Sequence, residues 1–115
     1  MEVRLTREQV LALAPDAASS KAGAGLATDG KWGLLGADAE ALWGECRGSG
    51  SKPYQTQVDL TALVSRCSCP SRKFPCKHGL ALLLLYGAGN PRCVPGARPA
   101  WVEEWMQGRR DRAAR

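Results

Sequence analysis

The stretch CSCPSRKFPCKH, residues 67–78, holds three of the five cysteines and the single histidine of a 115-residue chain. No other feature constrains the fold so strongly. Cys67, Cys69, Cys76 and His78 fall in a C-x-C-x6-C-x-H pattern. Four soft ligands, three of them sulfur, suit a tetrahedral zinc of the structural kind, with Zn–S near 2.3 Å and Zn–N near 2.0–2.1 Å. In an extended chain, residues i and i+2 lie about 6.6 Å apart, so each one-residue spacer demands a curled backbone. Pro70 and Pro75 flank the inner cysteines and help to fix such bends. A set closed by four protein ligands leaves no position for water, so it serves structure and not hydrolysis.

Charge points the same way. Three thiolates and one Zn²⁺ sum to minus one, and Arg66, Arg72, Lys73 and Lys77 crowd around the motif. Nearby cations lower thiol pKa values and favour the ligating form. The overall formal charge is +5, unevenly spread. Residues 1–59 carry six basic and eight acidic side chains, whereas residues 60–102 carry six basic ones and no acid. A second basic concentration, Arg109, Arg110, Arg112 and Arg115, closes the chain.

The length suits one small domain with a modest core, to which a metal clamp contributes noticeably. Thr6 and Gln9 form a capping-box pattern ahead of VLALA, which predicts a helix over 7–14, and AASSKAGAGLA reads as a weaker second helix. KWGLLG, EALWGECR and PYQTQVDL are short β-leaning runs parted by turn residues, most clearly GSGSKP. In the last run Tyr54, Thr56, Val58 and Leu60 share one face at period two, with Gln55, Gln57 and Asp59 on the other. A three-stranded antiparallel meander is expected. GLALLLLYG, apolar all round and poor in β-branched residues, predicts a buried helix ended by Gly87. After the loop GAGNPRCVPGARP, Pro99 precedes a final helix with Trp101 and Trp105 four apart on one face.

The motif and the apolar run after it closely resemble the SWIM zinc finger. LWGECRGSGSKPYQTQVDL, just upstream, is similar to the strand pair of bacterial proteins carrying that finger. The resemblance implies Cys67, Cys69, Cys76 and His78 as ligands of one structural Zn²⁺, strands before the first pair, and a helix starting around the second. It is associated with both DNA binding and protein–protein interaction.

The expected fold is α+β: a small antiparallel sheet with flanking helices and a structural zinc site. Its parts are an N-terminal helical segment (1–30), the meander with the zinc finger (31–90), and a loop, final helix and basic tail (91–115), all in one domain. Cys46 and Cys93 read as small buried hydrophobes. Trp32, Trp43, Trp101 and Trp105 read as core, the last two being the best candidates for a surface role. The tail RRDRAAR reads as a solvated, frayed end or the start of a linker in a longer chain. The charged start MEVRLTREQV is unlike a signal peptide, and LALLLLY is too short to span a bilayer, so a reducing cytoplasm without membrane attachment is expected. The chain lacks a second histidine, a Ser/His/Asp set and a phosphate-binding glycine loop, and an enzyme is not expected.

Two functions fit. One is a nucleic-acid-binding module, for DNA with little sequence preference, using Arg66, Arg72, Lys73 and Lys77; four phosphate contacts give a salt slope of about −3.6 on duplex DNA. No Asn or Gln stands directly beside the finger in sequence to read bases. The alternative is a protein–protein interaction module in which zinc is purely structural and the Trp-bearing final helix docks a partner.

Overall fold

The structure, a computed structural model, describes residues 5–48 and 50–114. Met1–Arg4 of the charged start, Ser49 of the GSGSKP turn and the final Arg115 lie outside the described residues. Helices α1 (Arg7–Leu11) and α2 (Ala17–Leu26) precede strands β1 (Trp32–Ala37), β2 (Ala41–Cys46), β3 (Tyr54–Asp59) and β4 (Val64–Cys67). Helices α3 (Lys77–Gly87) and α4 (Ala100–Ala113) follow. The strands form one antiparallel sheet in the order β1-β2-β3-β4.

The α+β class is as expected, but the sheet has four strands and not three. β4 is only four residues long and reads VSRC, with Val64 exposed. Neither its length nor its polarity announces a strand. It forms because β3 offers a free edge: Thr56 opposes Cys67, and Asp59 opposes Val64.

Both faces of the sheet are covered, so it is the middle of three layers. On one face Trp32, Leu35, Leu42, Cys46, Val58 and Leu60 pack with Leu80–Leu85 of α3 and Val10 of α1. On the other, Ala41 and Trp43 pack with Val102 and Met106 of α4. The alternation Ala41/Leu42/Trp43 thus serves two cores. This explains why Gln57 and Asp59, on the polar side of the period-two pattern, are buried along with Thr56 and Val58. The pattern in β3 describes two covered faces of different polarity.

The capping box holds: Gln9 N–H donates to Thr6 Oγ1 at 3.1 Å, and Thr6 N–H donates to Gln9 Oε1 at 2.9 Å. α1 nonetheless stops at Leu11, ahead of the expected Ala14, in tight turns closed by Leu13 and Ala14 amides. α2 forms despite its glycines because Gly23 lets it lie against α3; a Cβ there would sit 2.8 Å from Leu80 Cβ. α3 is the buried apolar helix expected, with Gly87 its last residue. The left-handed position that ends it is Gly89 (φ 78°), two residues further on.

The basic tail continues α4, and its residues 111–114 are exposed. α4 runs to Ala113 because two of its arginines find carboxylates: Arg109 Nε–Asp59 Oδ2 is 2.8 Å and Arg110 Nη2–Glu103 Oε1 is 2.9 Å. Trp32 and Trp43 are buried, one in each core. Trp101 and Trp105 are half-buried beside Val102 and Met106. Cys46 is buried as expected, whereas Cys93 is only half-buried against the larger core; burial raises the thiol pKa of both, that of Cys93 to about 11. Among the described residues, no helix is long and apolar enough to cross a membrane.

Candidate metal centre

Cys67 is the last residue of β4, Cys69 lies in the bend after it, Cys76 is the N-cap of α3, and His78 is in its first turn. A strand end and a helix start therefore supply one pair of ligands each. They meet because Gly79 lets α3 approach β4 closely: a Cβ there would lie 3.0 Å from Ser65 Oγ. The curl that each one-residue spacer requires is present, as a bend in the first pair and as the entry to α3 in the second.

One ligand atom from each of Cys67, Cys69, Cys76 and His78 lies within 4.8 Å of all the others. Cys76 Sγ and His78 Nδ1 are 4.0 Å apart. Bond lengths to a tetrahedral zinc set the S···S edges at about 3.8 Å and the S···N edges at about 3.6 Å. The donors thus surround a volume of the right size, and three sulfurs with one imidazole are the right chemistry. The site fits one structural zinc.

The protein also prepares the sulfurs for negative charge. Thr56 Oγ1, on the opposing strand, is 3.1 Å from Cys67 Sγ and donates to it once that sulfur is a thiolate. Backbone amides of Cys69 and Ser71 favour the thiolates of Cys67 and Cys69. The Gly79 amide, at the start of α3, does the same for Cys76, although it closes no capping hydrogen bond of standard geometry. Without metal the three thiols cannot all ionise. The proximity of the Cys67 and Cys76 sulfurs holds the Cys76 pKa down and that of Cys67 up, while burial raises that of Cys69. Zinc takes the place of the remaining protons. His78 is buried, and its ring lies 4.9 Å from the Tyr54 ring at 47°.

The four cations singled out in the sequence divide. Lys73 Nζ is 2.6 Å from Asp16 Oδ2, while Asp16 Oδ1 accepts from the Ser19 amide; together they lower the Asp16 pKa to about 2. Arg66 pairs with Gln57 across the β3–β4 ladder and lines a cleft under α4. Arg72 and Lys77 are exposed beside the ligands and make no ion pair with a described residue.

Register adds cations that the sequence reading missed. Trp32 opposes Cys46, Cys46 opposes Tyr54, and Thr56 opposes Cys67, so the start of β1, the end of β2, the start of β3 and the end of β4 share one end of the sheet. Lys31, Arg47 and Lys52 flank these termini. Lys31 and Lys77 both act electrostatically on the Cys46 thiol. Drawing the meander's register would have found the group, because each of these residues borders a strand or the turn joining two strands. Phe74, at the tip of the zinc loop, is 74% exposed between Lys73 and Lys77. At the opposite end of the sheet Asp38, Glu40 and Asp59 meet Arg98 and Arg109, and the charges there are paired.

The cleft holds about 350 Å³ between α4 and the β3–β4 pair. Gln55, Gln57, Arg66 and Ser68 form its floor, and Trp101, Glu104 and Trp105 its wall. Two glutamines of β3 therefore face a cleft beside the zinc loop, brought there by strand pairing.

Residues 54–87 match the family model of the SWIM zinc finger. Comparisons with curated proteins and with solved structures gave no match. The matched segment runs from β3 to the end of α3 and contains all four ligands. The motif, the ligand geometry and the family match agree: residues 54–87 are similar to a SWIM zinc finger, and Cys67, Cys69, Cys76 and His78 fit one structural zinc.

Proposed function

We propose that the zinc-bearing end of the sheet is a nucleic-acid-binding surface, and that its principal ligand is DNA. The observation that carries this reading is a spatial one. Lys31, Arg47, Lys52, Arg72 and Lys77 converge on one end of the sheet without an acidic partner among the described residues, around an exposed Phe74. The zinc loop fixes Arg72, Phe74 and Lys77 to a rigid support. Phosphates supply most of the affinity of such a surface, and an exposed aromatic ring adds stacking on an unpaired base.

The contact set differs from the one read off the sequence. Lys73 is engaged with Asp16, and Arg66 faces the cleft. Arg47 and Lys52 take their places beside Arg72 and Lys77. The alternative, a protein-interaction module, was motivated by a Trp-bearing face on the final helix. That face is turned to the sheet, with Val102 and Met106 buried, so the motive weakens.

Fluorescence anisotropy of zinc-loaded protein with labelled DNA across a salt series tests the proposal. Four phosphate contacts give a slope near −3.6 on duplex, and the Arg72→Glu/Lys77→Glu variant lowers it by about 2. Absence of binding at low salt, or binding indifferent to salt, would overturn the reading.

A further inference from the structure

We infer that the cleft between α4 and the β3–β4 pair receives one unpaired nucleobase of a bound strand, with Gln57 reading its edge and Trp101 or Trp105 covering its face; this rests on the nucleic-acid reading above.

The strongest indication is Gln57. The residue is only 6% exposed, yet its side-chain amide makes no hydrogen bond to any described residue. Among the described residues, no buried side-chain nitrogen or oxygen is left fully sealed without a partner. The Gln57 amide therefore keeps its remaining access, and the opening it lines is the cleft. A buried amide is costly to leave unsatisfied, and one directed into a cleft offers a donor and an acceptor together. That is the pair a Gln presents to adenine N6 and N7, or to the equivalent groups of an unpaired base.

The neighbours suit the same ligand. Gln55 is already oriented, its Nε2 donating to Glu45 Oε2 at 3.1 Å, which leaves its carbonyl oxygen free to accept. Trp105 is held from one side by Arg109, whose guanidinium carbon lies 5.3 Å from the ring centroid. Arg66, exposed on β4, brings a cation for a phosphate to the cleft, and Glu104 supplies an acceptor on the opposite wall. About 350 Å³ is ample for a single base. Ser68 and Cys67 belong both to the cleft and to the zinc loop, so a strand gripped at the zinc end has a short path over the β4 edge. Base preference then resides at a single position, within binding that is otherwise sequence-independent.

The test uses short single-stranded oligo(dA), oligo(dC) and oligo(dT) with the zinc-loaded full chain. Variants are Gln57→Leu, which keeps the bulk and removes the amide, Trp101→Phe, which keeps a ring in the wall, and Arg72→Glu/Lys77→Glu. The expected result is that wild type prefers one of the three, that Gln57→Leu loses about fivefold or more for that oligonucleotide only, and that its salt slope is unchanged. The charge variant instead weakens all three together. Circular dichroism and zinc content establish that each variant is folded; should Gln57→Leu fail that control, Gln57→Met, which also keeps the bulk and removes the amide, takes its place. Equal affinity of wild type for all three, or a preference that survives in the folded variant, overturns the cleft while the zinc-end surface stands. No binding of any oligonucleotide by wild type overturns both.

Discussion

Thr56→Val isolates the contribution of the residues behind the zinc ligands. Thr56 is 0% exposed, on β3, with Oγ1 3.1 Å from Cys67 Sγ. When Cys67 ligates zinc its sulfur carries no proton, so the threonine hydroxyl is the donor. Valine keeps the shape to within one atom and opens no cavity, so the packing of Val58 and the α3 leucines should persist. What is lost is one hydrogen bond to a charged acceptor, about 1.5–3 kcal/mol in a buried setting. Converted at about 1.4 kcal/mol per decade, that is roughly 10- to 100-fold in metal affinity, the range found when a residue supporting a ligand is removed. Competition for zinc against a chelator of known affinity, at fixed pH, measures it directly. The Cys69 amide also serves the Cys67 sulfur and remains in place, so the loss is partial and zinc still binds. A zinc affinity within twofold of wild type, with the variant folded, would refute the claim that Thr56 stabilises the thiolate.

Removing a ligand outright acts on the fold. His78→Ala or Cys76→Ala should abolish stoichiometric zinc and unfold at least the zinc loop and the start of α3, since binding a structural zinc contributes about 10–16 kcal/mol in small zinc domains; retention of one zinc per chain with an unchanged melting curve would contradict the ligand set. Asp59→Asn probes the clamp between α4 and the sheet. Burial raises the Asp59 pKa, but hydrogen bonds from Thr61 and the contact with Arg109 outweigh it, and the net shift is downward. A depressed folded pKa means the contribution is complete above the unfolded value, about 3.9, and is lost as pH falls through the lower folded value. Side-chain exposure is 9% for Asp59 and 27% for Arg109, so the variant should be less stable by about 1–2 kcal/mol at pH 7. That difference should hold to about pH 5 and shrink below pH 4. Chemical denaturation of both proteins at each pH gives the difference, and a difference that grows on acidification would reverse the assigned sign.

The zinc ligands were fully legible in the sequence because four soft side chains at short, fixed spacing have few other uses. So were the buried helix and the capping box, whose signals are local. What escaped depends on partners distant in the chain. β4 exists through pairing with β3 and not through its own residues. The burial of Gln57 and Asp59 follows from α4 folding across the second face of the sheet, which no pattern within PYQTQVDL can announce. Lys73 sits in the basic motif, yet it is Asp16, 57 positions away, that decides its role. Conversely Lys31, Arg47 and Lys52, scattered through an acidic half of the sequence, reach the zinc end by strand register alone. Composition along the chain identified a basic surface with only part of its membership.

The most direct test of the central claim is a map of backbone amide shifts in the zinc-loaded protein as a single-stranded DNA is added, at low and at moderate salt. The account predicts that the amides of Arg47, Lys52, Arg72, Phe74 and Lys77 move together and return as salt is raised. Those of Asp38 and Glu40, at the far end of the sheet, should stay in place. Shifts confined to the far end, or none at a salt concentration where binding is complete by another method, would contradict it.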